Sequence, residues 1–521
     1  MKRIISAILC IALLASAVFC VAPASAAGEG LDVPLIYIQG QGASLYRNPN
    51  TPQEEQIFPI QIPEGYIDEK IDIFLPVFAK AFFTQEWDEF CVVLTDIIVP
   101  LFEDVKLDKN GEASDGSGVK WTFSESTLTD RQVNGKYHVF DYEFEYDWRI
   151  DPWQTADILH EYVQAVKKVT GKEKVSLLGR CLGANIVSAY LTKYGDEHID
   201  EVIFYASAAH GVEMASKCYT GELFLESDGI ERFVYDLELF EDDQDNVYDR
   251  LLEGFVTALN KTYGLDVLCW AVNNVFKDIY LDIMPPVMSE TFGTFPGYWS
   301  MVNEEDFEKA KATIFYGSEP GEYDGMIAKL DNYHNKVKLG QDDVIRSMSN
   351  NGVEFSNIAK YGLQLYPVAN SNHYVSDNTC DVNAASMGAT ASDIEGVLSD
   401  EYIEQAKKNG TFKYISPDRQ IDASTCMFPD STWFIKDITH QDFPDYVNDL
   451  MVLILNNDDF TVFDSPTFPQ YMVYDKENRI VVPMTEENMN TTEEWKTNYF
   501  EALYMIFESL FKIIRDYLSN L

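Results

Sequence analysis

Two periodicities alternate along the chain. Residues 33–38, 137–144, 175–178, 199–205, 362–369 and 432–435 are short runs of β-branched, aromatic and aliphatic side chains, which predict strands. Apolar positions at helical spacing follow several of them, notably after Pro152 and across Leu182, Ile186, Val187, Ala189 and Tyr190. Strands and helices at these intervals predict an α/β fold with a mostly parallel central sheet flanked by helices. Residues 212–360 depart from this rhythm. They read as helices rich in Tyr, Phe, Trp and Met with acidic loops such as Glu241-Asp242-Asp243, a large helical insertion between core strands. Its aromatic stripe, including Trp270, Phe292, Phe295, Tyr298 and Trp299, reads as core more readily than as pocket. Helical patterns at 71–83 and 90–102, the run LMVLIL, the piece FPQYM and an amphipathic helix at 495–518 are expected to be packing elements.

The first 26 residues carry Lys2 and Arg3, an apolar run and the small-residue exit Ala24-Ser25-Ala26, so they predict a secretory signal peptide cut near Ala26. A secreted chain of residues 27–521 is expected. Neither Cys10 nor Cys20 follows the small residue of a lipoprotein signal, and no later stretch is apolar enough to span a bilayer, so no stable membrane anchor is expected. The formal charge is −46, and loss of Lys2 and Arg3 takes it to −48. Such a field repels nucleic acid and argues against it as a partner. Composition leaves the oligomeric state open.

Eight cysteines fall to six without the signal: Cys91, Cys181, Cys218, Cys269, Cys380 and Cys426. None forms a C-x-x-C pair, so spacing gives no support to a zinc or dithiol site, and neither a metal nor a cofactor is expected. A disulfide between Cys380 and Cys426 is one bridge the sequence permits.

The most informative stretch is KVSLLGRCLGANIVSAYLTKYG, residues 174–195. A β-forming run enters a turn with two glycines and a helix leaves it, so the turn lifts the Cys181 thiol to the top of a sheet beside a helix N-terminus. Upstream, the strand at 33–38 ends in Gln39-Gly40-Gln41-Gly42, whose unpaired backbone N–H groups suit an anion. Asp147 and Arg149 are expected to form a structural ion pair.

Gly179-Arg180-Cys181-Leu182-Gly183 resembles the G-x-S-x-G nucleophile elbow of the α/β-hydrolase superfamily, with Cys in place of Ser. Tyr146-Asp147-Trp148-Arg149, before that elbow, is similar to the Y-D-W-R of the lecithin:cholesterol acyltransferase-like lipases within the lipase and esterase branch. The resemblance implies a hydrolase domain over 27–521 with a cap at about 212–360. It implies an oxyanion hole from the Gln41 and Leu182 amides. Ser376-Asp377-Asn378 resembles the acid turn, with Asn378 at the usual Gly, so Asp377 is the candidate acid and Asp381 and Asp422 are alternatives. The family order of nucleophile, acid and base then leaves His440, the only one of seven histidines beyond Asp377. Arg180 and His210 are candidate substrate contacts.

Together these imply a secreted acyl hydrolase, an esterase, lipase or thioesterase-like enzyme, with a Cys181-His440-Asp377 triad and a small-molecule or lipid acyl substrate. An acyltransferase and a catalytically silent binding protein for a lipid or glycan stay open. A cysteine peptidase fits less well, because nothing marks an extended peptide cleft.

Overall fold

The computed structural model of the protein describes residues 30–63, 65–120, 127–236, 247–368, 373–476, 478–489 and 498–519. The expected signal peptide lies outside them. At the centre is an eight-stranded sheet: β1 Leu35–Ile38, β2 Tyr142–Phe144, β3 Val175–Arg180, β4 Ile199–Tyr205, β5 Glu354–Tyr361, β6 Thr432–Lys436, β7 Tyr471–Asp475 and β8 Ile480–Pro483. The strand order is β8-β7-β6-β5-β4-β3-β1-β2. Every pairing is parallel except that of β7 with β8. The expected α/β architecture is therefore present.

All six residues of β3 are buried, as are all but one of β4. A parallel sheet covered on both faces needs such continuous apolar runs, which is why these strands were legible in the sequence. The helices Pro152–Thr170 and Leu182–Tyr194 follow β2 and β3. The first begins where the Asp151 carboxylate accepts the Trp153 N–H at 2.9 Å, with Pro152 in the first turn, and ends at Gly171 with φ 66°.

Strand β5 lies wholly before the expected 362–369 run, which is therefore not a core strand. Its sequence EFSNIAKY looks amphipathic because Ser356, Asn357 and Lys360 are polar, yet all three are buried. They are tolerated because they are bonded: Asn357 donates to the Ala385 carbonyl at 2.9 Å, and Lys360 donates to backbone carbonyls beyond β6. The chain leaves β5 through Gly362 at φ 99°, and Leu363–Gln364 pairs with Val375–Ser376 in a separate two-stranded hairpin.

Helices from Glu213–Thr220 to Gln341–Asn350 fill the connection between β4 and β5. The longest, Gly264–Met288, packs Ile279, Ile283 and Val287 against Ala81, Phe90 and Cys91 of Tyr66–Thr84 and Asp88–Phe102. The C-terminal helix Tyr499–Ser519 packs on helix Val247–Lys261 of this insertion, where Gly254 lies so close that a Cβ there would sit 2.8 Å from the Ala502 carbonyl. Tyr471–Asp475, expected as mere packing, is a core strand.

One buried carboxylate in the sheet has a measurable cost. Burial, with the nearby Glu354 and Asp200 charges, pushes Glu201 of β4 up to about 8 from an ordinary 4.5. The folded state thus holds a proton that the unfolded chain releases above pH 4.5, so stability falls as pH rises from 4.5 to 8 and is level beyond. Glu201→Gln should exceed the wild type by on the order of 4 kcal/mol at pH 8, with the gap closing near pH 4.5, as read from urea midpoints.

Candidate active site

The strand order reverses on either side of β1, so β1 and β3 leave a crevice at their carboxyl ends. Both turns singled out in the sequence sit there. Cys181 joins β3 to helix Leu182–Tyr194 with φ 51° and ψ −124°, a conformation that costs a non-glycine residue roughly 1–3 kcal/mol. The flanking glycines are there for clearance. A Cβ on Gly183 would lie 2.2 Å from the Ile38 carbonyl, and one on Gly179 would lie 2.9 Å from Ala184 Cα. Gly40 has the same duty on the facing turn, where a Cβ would stand 2.8 Å from Cys181 Cβ.

The Tyr146-Asp147-Trp148-Arg149 stretch holds that facing turn. The Tyr146 hydroxyl donates to the Gln39 carbonyl at 3.0 Å, and the Trp148 indole donates to the Ala43 carbonyl at 3.1 Å. Arg149 pairs with Asp147 at 2.6 Å, buried, as expected of a structural ion pair. Gln41 is buried in the turn so pinned, and the Leu182 N–H bonds toward the Cys181 sulfur.

His440 lies past β6 and Asp377 past the short strand Val375–Ser376. His440 Nδ1 meets Asp377 Oδ2 at 2.7 Å, and the His440 N–H donates to the Asp377 carbonyl at 2.8 Å. The other carboxylate oxygen, Oδ1, accepts the Thr379 and Cys380 N–H groups at 3.1 and 2.7 Å. Asn378 stands at φ 79°, the left-handed conformation for which Gly or Asn is chosen. The two alternative acids have structural work: Asp381 caps the helix Val382–Ala385 and also accepts the Glu213 N–H, while Asp422 accepts from the Ser424 N–H and the Tyr402 hydroxyl.

Cys181, Cys380 and His440 form one buried cluster, with two sulfurs and a ring nitrogen all within 4.8 Å of one another. Cys380 was not a site candidate. Its sulfur lies beside Cys181 and 3.9 Å from the Ala206 carbonyl, and both Cys380 and Cys426 are free thiols rather than the bridge considered above. Sequence spacing could not reveal this neighbour, because Cys380 and Cys181 meet only through the Asp377 turn.

The electrostatics favour a thiolate on Cys181. The Cys380 thiol beside its sulfur, then the His440 charge and the Leu182 N–H, hold Cys181 well below the usual thiol range despite burial. Burial alone would lower His440, but the Asp377 and Cys181 charges outweigh it and raise the imidazole to about 9. Asp377 is held below its ordinary range: burial opposes this, and the charges of His440 and Lys360 prevail.

Arg180 is not placed to meet a substrate. It is fully buried, and its guanidinium donates to the carbonyls of His440 and Gln441 at 3.0 and 2.9 Å. Lys360 donates to the carbonyls of Thr439, His440 and Asp442 at 3.0, 3.1 and 2.6 Å. Two buried cations therefore fix the loop that carries His440, a role that nothing in a lone Arg or a mid-strand Lys announces. His210 turns its Nε2 to Asp342 of the helical insertion at 2.7 Å and is not part of the cluster. From the same insertion comes Tyr298, whose hydroxyl is buried without a hydrogen-bond partner among the described residues and is pushed well up by burial and by the Cys181 charge.

The lowered Cys181 and raised His440 define a pH test. Alkylation by iodoacetamide should continue far below pH 8.5, whereas an ordinary thiol slows about tenfold per unit there. His440→Ala removes one of the charges that lower Cys181, so its alkylation profile should shift to higher pH, as read by mass spectrometry of the Cys181 peptide.

Compared with known proteins, the chain matches no family model and no curated protein.

Proposed function

We propose that the protein is an acyl hydrolase of the α/β-hydrolase type, with Cys181 as nucleophile, His440 as general acid and base, and Asp377 as the group that orients the imidazole. The observation that carries the reading is the 2.7 Å bond between His440 Nδ1 and Asp377 Oδ2, in a cluster that also holds the strained Cys181. A side chain held in an unfavourable backbone conformation at a sheet edge, beside a histidine whose tautomer is set by a buried carboxylate, matches the requirements of nucleophilic catalysis.

In this mechanism the Cys181 thiolate attacks the carbonyl carbon of an ester or thioester, forming the C–S bond while the carbonyl π pair moves to oxygen. The Leu182 and Gln41 amides receive that oxyanion. Collapse expels the leaving group, which takes the Nε2 proton of His440, and leaves an acyl-thioester on Cys181. The now neutral imidazole removes a proton from water, hydroxide adds to the acyl carbon, and Cys181 leaves as thiolate with the acid as product. Arg180 and Lys360 act through the backbone of residues 439–442 as positioning residues.

A secreted setting, expected from the leader-like first 26 residues, and a lipid-like acyl group, expected from the aromatic insertion, belong to the same reading. The experiment is hydrolysis of a chromogenic ester and thioester panel, graded in acyl chain length, by reduced protein. Cys181→Ala should abolish turnover, and Asp377→Asn should lower kcat by about 10²- to 10⁴-fold with a smaller change in KM. Turnover that persists in Cys181→Ala, or none on any substrate, would reject the mechanism in favour of a non-catalytic binding protein.

A further inference from the structure

We propose that Cys181, Cys380 and His440 constitute a binding site for one zinc-class divalent cation. No local spacing of these residues announces such a site. The fold assembles it from three distant loops: the turn after β3, the turn after Val375–Ser376 and the loop after β6.

Three observations carry the proposal. The donor atoms, two sulfurs and one imidazole nitrogen, lie within 4.8 Å of one another. In a tetrahedral zinc site with Zn–S near 2.3 Å, neighbouring sulfurs stand about 3.8 Å apart, so shifts of roughly 1 Å would close the cluster on an ion. The imidazole is also set up as a ligand. Nδ1 is engaged by Asp377, which leaves Nε2, buried and directed at the Cys181 sulfur, as the nitrogen that faces the two thiols. A carboxylate on the far nitrogen is the usual companion of a zinc-bound histidine. Finally, the donor set is soft: two sulfurs and an imidazole suit zinc, whereas calcium and magnesium require oxygen ligands. All three ligand side chains are buried, and no second carboxylate competes for the ion within the group.

The proton balance is simple. Whether the apo site holds two thiols and a neutral imidazole or a thiolate–imidazolium pair with one thiol, the ligated form has two thiolates and neutral Nε2. Binding of one M²⁺ therefore releases two protons and forms two M–S bonds and one M–N bond, with no change of oxidation state. Three protein ligands leave one tetrahedral position for water. Metal binding needs no acyl chemistry. One consequence does rest on the acyl-hydrolase reading: the ion would occupy both the nucleophilic sulfur and Nε2, and so hold the enzyme silent until it is withdrawn.

The test uses the full chain, reduced and stripped of metal by a chelator in the absence of oxygen, and titrated with Co²⁺. Wild type should take up one Co²⁺ per chain, with sulfur-to-cobalt charge-transfer absorption in the near ultraviolet that one equivalent of Zn²⁺ displaces. Cys181→Ser and Cys380→Ser should each reduce that absorption by about half and weaken binding, and Asp377→Asn should weaken it about 10- to 100-fold. Cys426→Ser, a buried thiol outside the cluster, should bind as wild type does. Circular dichroism identifies any variant that fails to fold, and the second cysteine variant then supplies the reading. No charge-transfer band in wild type, or a band unchanged in both cysteine variants, overturns the proposal. Because uptake is read without substrate, a negative ester panel leaves this result standing, and the reverse holds too.

Discussion

The geometry of the site depends on how closely the elbow helix approaches the end of the first strand. A helix whose backbone lies against the Ile38 and Gln39 carbonyls has room for hydrogen alone at Gly183, and the turn facing it has room for hydrogen alone at Gly40. That approach forces Cys181 into its positive φ and delivers its sulfur to the crevice beside β1. The strain, roughly 1–3 kcal/mol, is offset by a β3 and an elbow helix buried along almost their whole length. A bulkier side chain at any of the three glycines would be felt first at the sulfur, because the helix could relieve the clash only by backing away from β1.

The second constraint is electrostatic. Asp377, His440, Arg180 and Lys360 are all excluded from water around Cys181. Charges in such a place persist only as a mutually satisfied set, because each one unpaired would cost several kcal/mol. The two cations spend their hydrogen bonds on carbonyls of residues 439–442 and not on the carboxylate itself. The loop is thereby fixed while Asp377 is left to the imidazole. Phe443, whose ring is tilted against Tyr205 at 4.7 Å and lies beneath the Arg180 guanidinium, closes the same loop from its apolar side.

The legibility of the chain follows from these physical causes. Strands β3 and β4 could be read because burial on both faces leaves only apolar residues, and the elbow could be read because close approach demands glycine at fixed offsets. The acid turn and His440 followed from their order along the chain once the elbow was located. Strand β5 began out of view, since its buried Ser356, Asn357 and Lys360 imitate an exposed face and declare their purpose only through partners far away in sequence. Arg180 looked like a substrate contact because it adjoins Cys181, but successive strand residues point to opposite faces, so adjacency in sequence separates the two side chains. Cys380 was hidden for the converse reason: it meets Cys181 across 199 positions of sequence, and no local pattern encodes that meeting.

That neighbour bears on why the turn after β3 carries a cysteine. A serine hydroxyl there would need only a base and an oxyanion turn, and a second thiol against it would add little, because a neutral hydroxyl gains only a weak bond from S–H. A thiolate gains more. It is larger and charged, and in a site closed to water it must find its stabilisation among fixed groups: the Cys380 thiol, the Leu182 amide and the His440 charge all lie on it. The surroundings of Cys181 are thus fitted to a sulfur anion. The same fit exposes the limit of the closed arrangement. Cys181 is only 7 % exposed and His440 1 %, so a ligand larger than an ion reaches the sulfur only if the covering residues move. Tyr298, contributed by the helical insertion and near enough for the Cys181 charge to act on it, carries a buried hydroxyl with no hydrogen-bond partner among the described residues.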